Sequence, residues 1–148
     1  MAHRPSSRYS SPLTLKLIGP RSWTEIPTVF AYDAADPFAV RITFGETPAD
    51  GDGVAWLVGR DLLRTGLDQP AGGGDVRVWP ASAAADVLLL HLRAPSGEAL
   101  FELSRAALAA FLRGTEALVP AGGEGTVLDL DEELAVLLSN GGADPTGR

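Results

Sequence analysis

The chain has 148 residues, no cysteine and a formal net charge of −7. A chain of this length suits a single domain that buries roughly 70% of its unfolded surface, so it needs no staple. The missing cysteine excludes disulfides, thiolate catalysis and cysteine-based zinc sites. The acidic balance disfavours sequence-independent nucleic-acid binding, which draws its affinity from neutralising phosphates.

The charge is unevenly spread. The first 24 residues carry Arg4, Arg8, Lys16 and Arg21 and no acid, whereas from Gly114 onward seven acids face Arg148 alone. No apolar run approaches the ~20 residues of a membrane span. The apolar part of the basic N-terminus is interrupted by Thr14 and Lys16, unlike a signal peptide. These features lead us to expect a cytoplasmic protein. Composition divides the chain into a disordered tail over 1–11, one domain over 12–140 and a flexible tail over 141–148.

In chain order, Leu13, Leu15 and Leu17 alternate with Thr14 and Lys16, the pattern of a half-buried strand. Gly19-Pro20 turns the chain into a strand from Glu25 to Tyr32. Pro27 marks a place where that strand lies at an edge. Asp33 to Pro37 is a turn, because aspartates bond nearby amides and the residue before proline is held extended. Phe38, Val40, Ile42 and Phe44 define the next strand, and Gly45 to Gly53 is a polar loop. Val54 to Gly59 is apolar at both phases, which predicts a strand covered on both faces.

Arg60-Asp61 opens a short helix that buries Leu62, Leu63 and Leu67, with Gly66 stopping it in a left-handed conformation. Pro70 and Gly72 to Gly74 form a loop. No Lys-Ser/Thr follows its glycines, so it does not read as a phosphate-binding loop. Asp75 to Trp79 is a strand that ends at Pro80. Asp86 to Arg93 and a strand with Ala99, Phe101 and Leu103 inward form a hairpin through Pro95-Ser96-Gly97. Ser104 caps a helix that runs to Arg113, with Gly114 closing it. Asp129 caps a last helix carrying Leu130, Leu134, Leu137 and Leu138, with Asp131, Glu132 and Glu133 at its start. The result is an α+β fold: a mainly antiparallel sheet of about seven strands with two to three helices.

Little of this resembles an active site. The acids from Asp129 to Glu133 lack the glycine of a calcium loop and are explained by helix capping. His91 stands alone in a strand, and His3 lies in the tail, so no histidine metal cluster exists. Ser82, Ser96 and Ser104 lack a nucleophile-elbow context. Asp33 and Asp36 are accounted for by their turn. Trp23, Trp56 and Trp79 have packing as their plain role and base stacking as the other. Trp79, out of phase with Val76 and Val78, is the one presented on the opposite face.

Ordered motifs carry the reading further. They are Tyr32 to Val40 (YDAADPFAV), Trp56 and Val58 with Arg60-Asp61-Leu62-Leu63, Gly66-Leu67, Pro70, Gly74 to Pro80 (GDVRVWP), Pro95 to Leu100 (PSGEAL) and Asp129 to Leu134 (DLDEEL). Together they resemble the SsgA-like proteins of sporulating actinomycetes, closest to the SsgB branch, over about residues 12 to 140. The resemblance implies a curved sheet with helices, similar to Whirly and guide-RNA-binding proteins, assembled as a trimer. It implies a non-enzymatic regulator of septation and sporulation that places the tubulin-like protein FtsZ at division sites. Catalytic residues, metals and cofactors are not implied. The expected location is the septum, and FtsZ and other division proteins are the expected partners. Arg60, Asp61, Arg64, Trp79, Asp131, Glu132 and Glu133 are the candidate partner surface. The alternative is a single-stranded nucleic-acid-binding module of Whirly-like fold, which requires a basic groove on the sheet.

Overall fold

A computed structural model describes residues 7–45, 54–82 and 85–125. The expected helix after Asp129, with Asp131, Glu132 and Glu133, lies outside the described residues. Seven strands form one antiparallel sheet: β1 Arg8–Ile18, β2 Trp23–Asp33, β3 Ala39–Phe44, β4 Val54–Gly59, β5 Val76–Pro80, β6 Leu88–Ala94 and β7 Gly97–Leu103. Helix α1 (Arg60–Gly66) links β4 to β5, and α2 (Arg105–Leu118) follows β7. The strand order is β4-β3-β2-β1-β7-β6-β5, so the chain crosses through α1 from one edge of the sheet to the other.

That crossing is possible because the sheet curls into a half-barrel. Seven residues of helix span only about 10 Å, yet α1 packs against both edge strands, β4 and β5. Phe44 of β3 and Phe101 of β7 stack at 4.8 Å although three strand boundaries separate them. The concave side holds the core. Leu15, Phe30, Val40, Ile42, Leu88 and Leu90 line it from the strands, and Leu108, Phe111 and Leu112 close it from α2. Leu88, Leu90 and Leu92 share the buried face as their alternation predicts, with Phe101 and Leu103 beside them.

Several local expectations are corrected. Residues 8–11 do not belong to a tail: β1 begins at Arg8 and pairs with β2 all the way from Asp33 to Trp23. β6 begins at Leu88, and Asp86 instead joins the helix cap described below. β4 is an edge strand covered on one face only. Val58 is buried on the concave face, but Leu57 on the outer face is 58% exposed, and Val54, at the open end of the concave face, is 59% exposed. The locally apolar sequence could not reveal that the outer face stays bare. Pro27 behaves as expected, since β3 pairs with β2 only from Thr28 onward.

Two glycines read as helix stops have a different cause. Gly66 is the buried last residue of α1, and a Cβ there would lie 2.5 Å from Val78 Cγ1. Gly114 sits inside α2, where a Cβ would collide with the ring of Tyr9. Both are glycines because another element passes too close, not because the backbone turns left-handed. Tyr9 in turn packs 5.6 Å from Phe111, which fixes α2 against β1.

Candidate functional site

The helix α1 residues separate sharply. Arg60 is fully buried, so the expectation that it offers an exposed face is corrected. Its guanidinium uses all five donors. Nε and Nη2 donate to Glu124 Oε2 at 3.2 and 2.5 Å. Nη1 donates to Thr115 Oγ1 at 3.2 Å and to the Val119 carbonyl at 2.7 Å. Nη2 also reaches the Pro120 carbonyl at 3.2 Å. The carbonyls of Val119 and Pro120 lie just past α2, and Pro120 also accepts from Gly123 N at 2.9 Å. Arg60 therefore clamps the end of α2 to the start of α1. It also lies 4.8 Å from the ring centroid of Tyr32.

The electrostatics follow from this clamp. Burial raises the Tyr32 hydroxyl above its usual range, partly opposed by the Arg60 charge. Burial alone would raise the Glu124 carboxyl too, but the Arg60 hydrogen bond and charge outweigh it and hold it below its ordinary value. Glu124 is the partner that sequence reasoning missed. It reads as one acid in a glycine-rich loop, and its role emerges only when the loop folds back over 64 residues.

Asp61 faces outward, whereas Arg64 lies at the rim, largely covered, with its Nη2 buried and without a hydrogen-bond partner. Arg64 bridges Asp61 at 3.1 Å and Glu116 of α2 at 3.1 Å. Asp61 is the more open, with 87% of its side chain exposed against 24% for Arg64. Trp79 is not part of this group. Val78 points inward to Gly66, and Trp79 lies half-buried on the outer face of edge strand β5, where Arg77 approaches its ring to 5.7 Å. Trp23 is far more open, at 54%, with Lys16 Nζ 4.5 Å from its ring.

Several other titratable groups have structural partners. Asp33 accepts from Ala35 N at 2.9 Å and from Arg8 at 3.1 Å, as a turn residue should. Ser104 caps α2 by accepting from Ala107 N, as its sequence position predicts, and its hydroxyl donates to Asp86 at 2.8 Å. Asp86 also accepts from Ala106 N at 2.8 Å. The Ser104 hydroxyl, with the α2 amides, holds the Asp86 carboxyl below its usual range. His91 Nε2 lies 2.6 Å from Glu98. Among the described residues no group of three or more histidines and acids is arranged to hold a metal. No helix among them is long and apolar enough to cross a membrane.

The outer face of the sheet carries interleaved charges. Lys16 stands opposite Glu25 on β2 and Glu102 on β7. Arg77, His91 and Leu100 form one cross-strand row, and Arg93 stands opposite Glu98. Such alternation is not the cationic groove that a phosphate backbone needs.

With a half-barrel, a clamped helix pair and an exposed polar helix face in place, comparison with known proteins defines the class. Residues 26–124 match the family model "Streptomyces sporulation and cell division protein, SsgA", and the chain belongs to that family. Among its relatives, a "Sporulation-specific cell division protein SsgB" of Salinispora tropica is 45% identical over 129 residues, covering 85% of this chain and 90% of that protein. The protein of the same description from Streptomyces coelicolor is 45% identical over 132 residues, covering 88% and 95%. A solved structure described as "Mutations in SsgB correlate to longitudinal cell division during sporulation of Streptomyces coelicolor" superposes with a TM-score of 0.75. It is 39% identical and covers 85% of this chain and 99% of its own. An SsgA-like sporulation-specific cell division protein from Thermobifida fusca superposes with a TM-score of 0.77, at 34% identity over 89% of this chain and 98% of its own.

Proposed function

We propose that this chain is a non-enzymatic regulator of sporulation septation that helps position septa by recruiting FtsZ or supporting its assembly at division sites. The observation that carries this reading is the 45% identity, over 85% of the chain, to a sporulation-specific cell division protein. The protein works in the cytoplasm at the septum as a homo-oligomer, with a trimer as the expected form. Several copies of one weak surface gain avidity when they meet a filament. Asp61 and Arg64, the half-buried Trp79, and the acids Asp131, Glu132 and Glu133 are the residues to test as that surface. Arg60 shapes it from beneath.

The alternative, a single-stranded nucleic-acid module, has the interleaved charge of the outer face against it. The test is co-sedimentation with FtsZ polymers alongside binding to a single-stranded oligonucleotide at low and moderate salt. Pelleting with FtsZ and no oligonucleotide binding is the expected result. Salt-sensitive oligonucleotide binding without FtsZ association would overturn it. If a variant that disrupts the trimer still bound filaments equally well at the same subunit concentration, the multivalent part would fall.

A further inference from the structure

The two edges of the sheet are finished differently. At β5 the edge is guarded: Ala71 N–H donates to the Val78 carbonyl at 2.8 Å and Val78 N–H donates back to Ala71 at 3.0 Å. Arg77 adds a charge there, and Pro80 removes a donor. At β4 nothing comparable stands among the described residues. The sequence Val-Ala-Trp-Leu-Val-Gly has no charge and no proline, and it pairs with β3 in regular register from Ala39↔Gly59 to Phe44↔Val54. Its far side has no strand partner among the described residues. A bare, uncharged edge with exposed Leu57 and Val54 invites a further strand.

A groove flanks this edge on each face of the sheet. On the outer face a groove of about 500 Å³ runs along the row Ser10, Ala31, Arg41 and Leu57, which the register places side by side across four strands. On the concave face a more open groove of about 330 Å³ lies between Phe44, Val54 and Trp56 and the β6–β7 hairpin. A strand laid along β4 sends alternate side chains to the two faces, and thus toward both grooves.

The outer groove also selects charge. Arg41 is exposed and has no hydrogen bond or ion pair among the described residues. It stands one strand in from β4, so an added strand lies about 10 Å away, a span that an arginine and a carboxylate side chain bridge together. Asp33 is taken up by Arg8 and the Ala35 amide. Asp36 sits in the β2–β3 turn, beyond the end of the β4 register. A second copy of β4 would bring no charge to Arg41.

We propose that the β4 edge is a docking site for an extended segment of another protein, one that alternates apolar residues and carries an acid toward Arg41. The segment adds as an eighth strand. Main-chain hydrogen bonds supply affinity, and the two grooves with Arg41 supply selectivity. This inference rests on the edge and not on which division protein is the partner. It therefore stands or falls separately from FtsZ pelleting.

The test is selection of binders from a random peptide display library on the immobilised full chain, followed by hydrogen exchange of the complexes and of the chain alone. The expected result is enriched sequences of alternating apolar pattern with an acid. They slow amide exchange over 54–59, and they bind about tenfold more weakly to Arg41→Glu, a loss that a lysine in place of the peptide acid restores. Arg41 is exposed, so that variant keeps the fold, and its circular dichroism checks this. The proposal is overturned by an absence of enrichment, by sequences of helical spacing, by protection mapping away from β4, or by an Arg41→Glu variant that binds unchanged. Slow exchange of the edge-facing amides of Ala55, Leu57 and Gly59 in the chain alone, those not bonded to β3, would also overturn it, because this chain or a second copy would then already cover the edge.

Discussion

Arg60 and Arg64 stand one turn apart on the same helix and have opposite fates. Arg60 points into the junction of α1, α2 and β2 and satisfies every donor with no exposed surface. Arg64 lies on the rim, bridging two carboxylates that remain partly in water. The contrast separates what holds this fold together from what it has available for a partner. A charge sealed in a complete network is expensive to disturb, because losing one member strands the others without solvent. A charge on the rim contributes little to stability and is free to serve binding.

The largest expected effect comes from breaking the sealed side. Arg60→Ala strands the buried Glu124 carboxylate without its cation and leaves the Val119 carbonyl without its donor. It should destabilise the protein by about 3–5 kcal/mol in denaturant unfolding. Arg60→Lys keeps the charge but not the planar fork, so it should recover only part of that loss. An unfolding midpoint for Arg60→Ala close to wild type would mean the clamp is not holding α2.

Gly114→Ala comes next. In an exposed helix interior this change stabilises by up to about 1 kcal/mol. Here the added methyl meets the Tyr9 ring, so the sign should reverse, to a loss of about 1–3 kcal/mol. The double variant with Tyr9→Ala should recover the helix gain. This pair shows whether α2 really presses on β1 at that point.

The pH dependence should be smaller. The Glu124 and Asp86 carboxyls both sit below their unfolded values. Each therefore contributes stability that is fully present above its unfolded pKa, near 4.5 for Glu124 and 3.8 for Asp86. Each contribution fades as pH falls from there through the depressed folded value. Thermal melts of Glu124→Gln and Asp86→Asn should show a flatter acid limb than wild type. Removing the α2 cap by Ser104→Ala should cost about 1 kcal/mol at neutral pH. The smallest stability effect belongs to Asp61→Ala, below about 1 kcal/mol.

Much of the fold was legible because it depends on local alternation. Leu88, Leu90 and Leu92 announce their buried face, Pro95-Ser96-Gly97 announces its hairpin, and Ser104 announces its cap. What could not be read depends on which elements meet. Gly66 and Gly114 look like helix stops until Val78 and Tyr9 arrive against them. Arg60 looks like a surface residue until the loop carrying Glu124 folds back to it. Leu57 looks like a core residue until β4 proves to be an edge. Of the candidate surface, the sequence pointed correctly to Asp61 as outward-facing and to Trp79 as opposite in phase to Val78, whereas Arg64 is largely covered against α2. It placed them together, whereas the half-barrel sets Trp79 on the far face of the sheet.

Co-sedimentation with FtsZ polymers, comparing wild type with a folded Asp61→Lys/Arg64→Glu variant, tests the central claim most directly. The expected result is wild-type protein in the pellet and the charge-reversed variant left largely in the supernatant, with circular dichroism showing both folded at the assay temperature. Wild-type protein that stays in the supernatant at every FtsZ concentration would contradict the septation reading. Equal pelleting of both proteins would contradict the assignment of the α1 rim as the surface it uses.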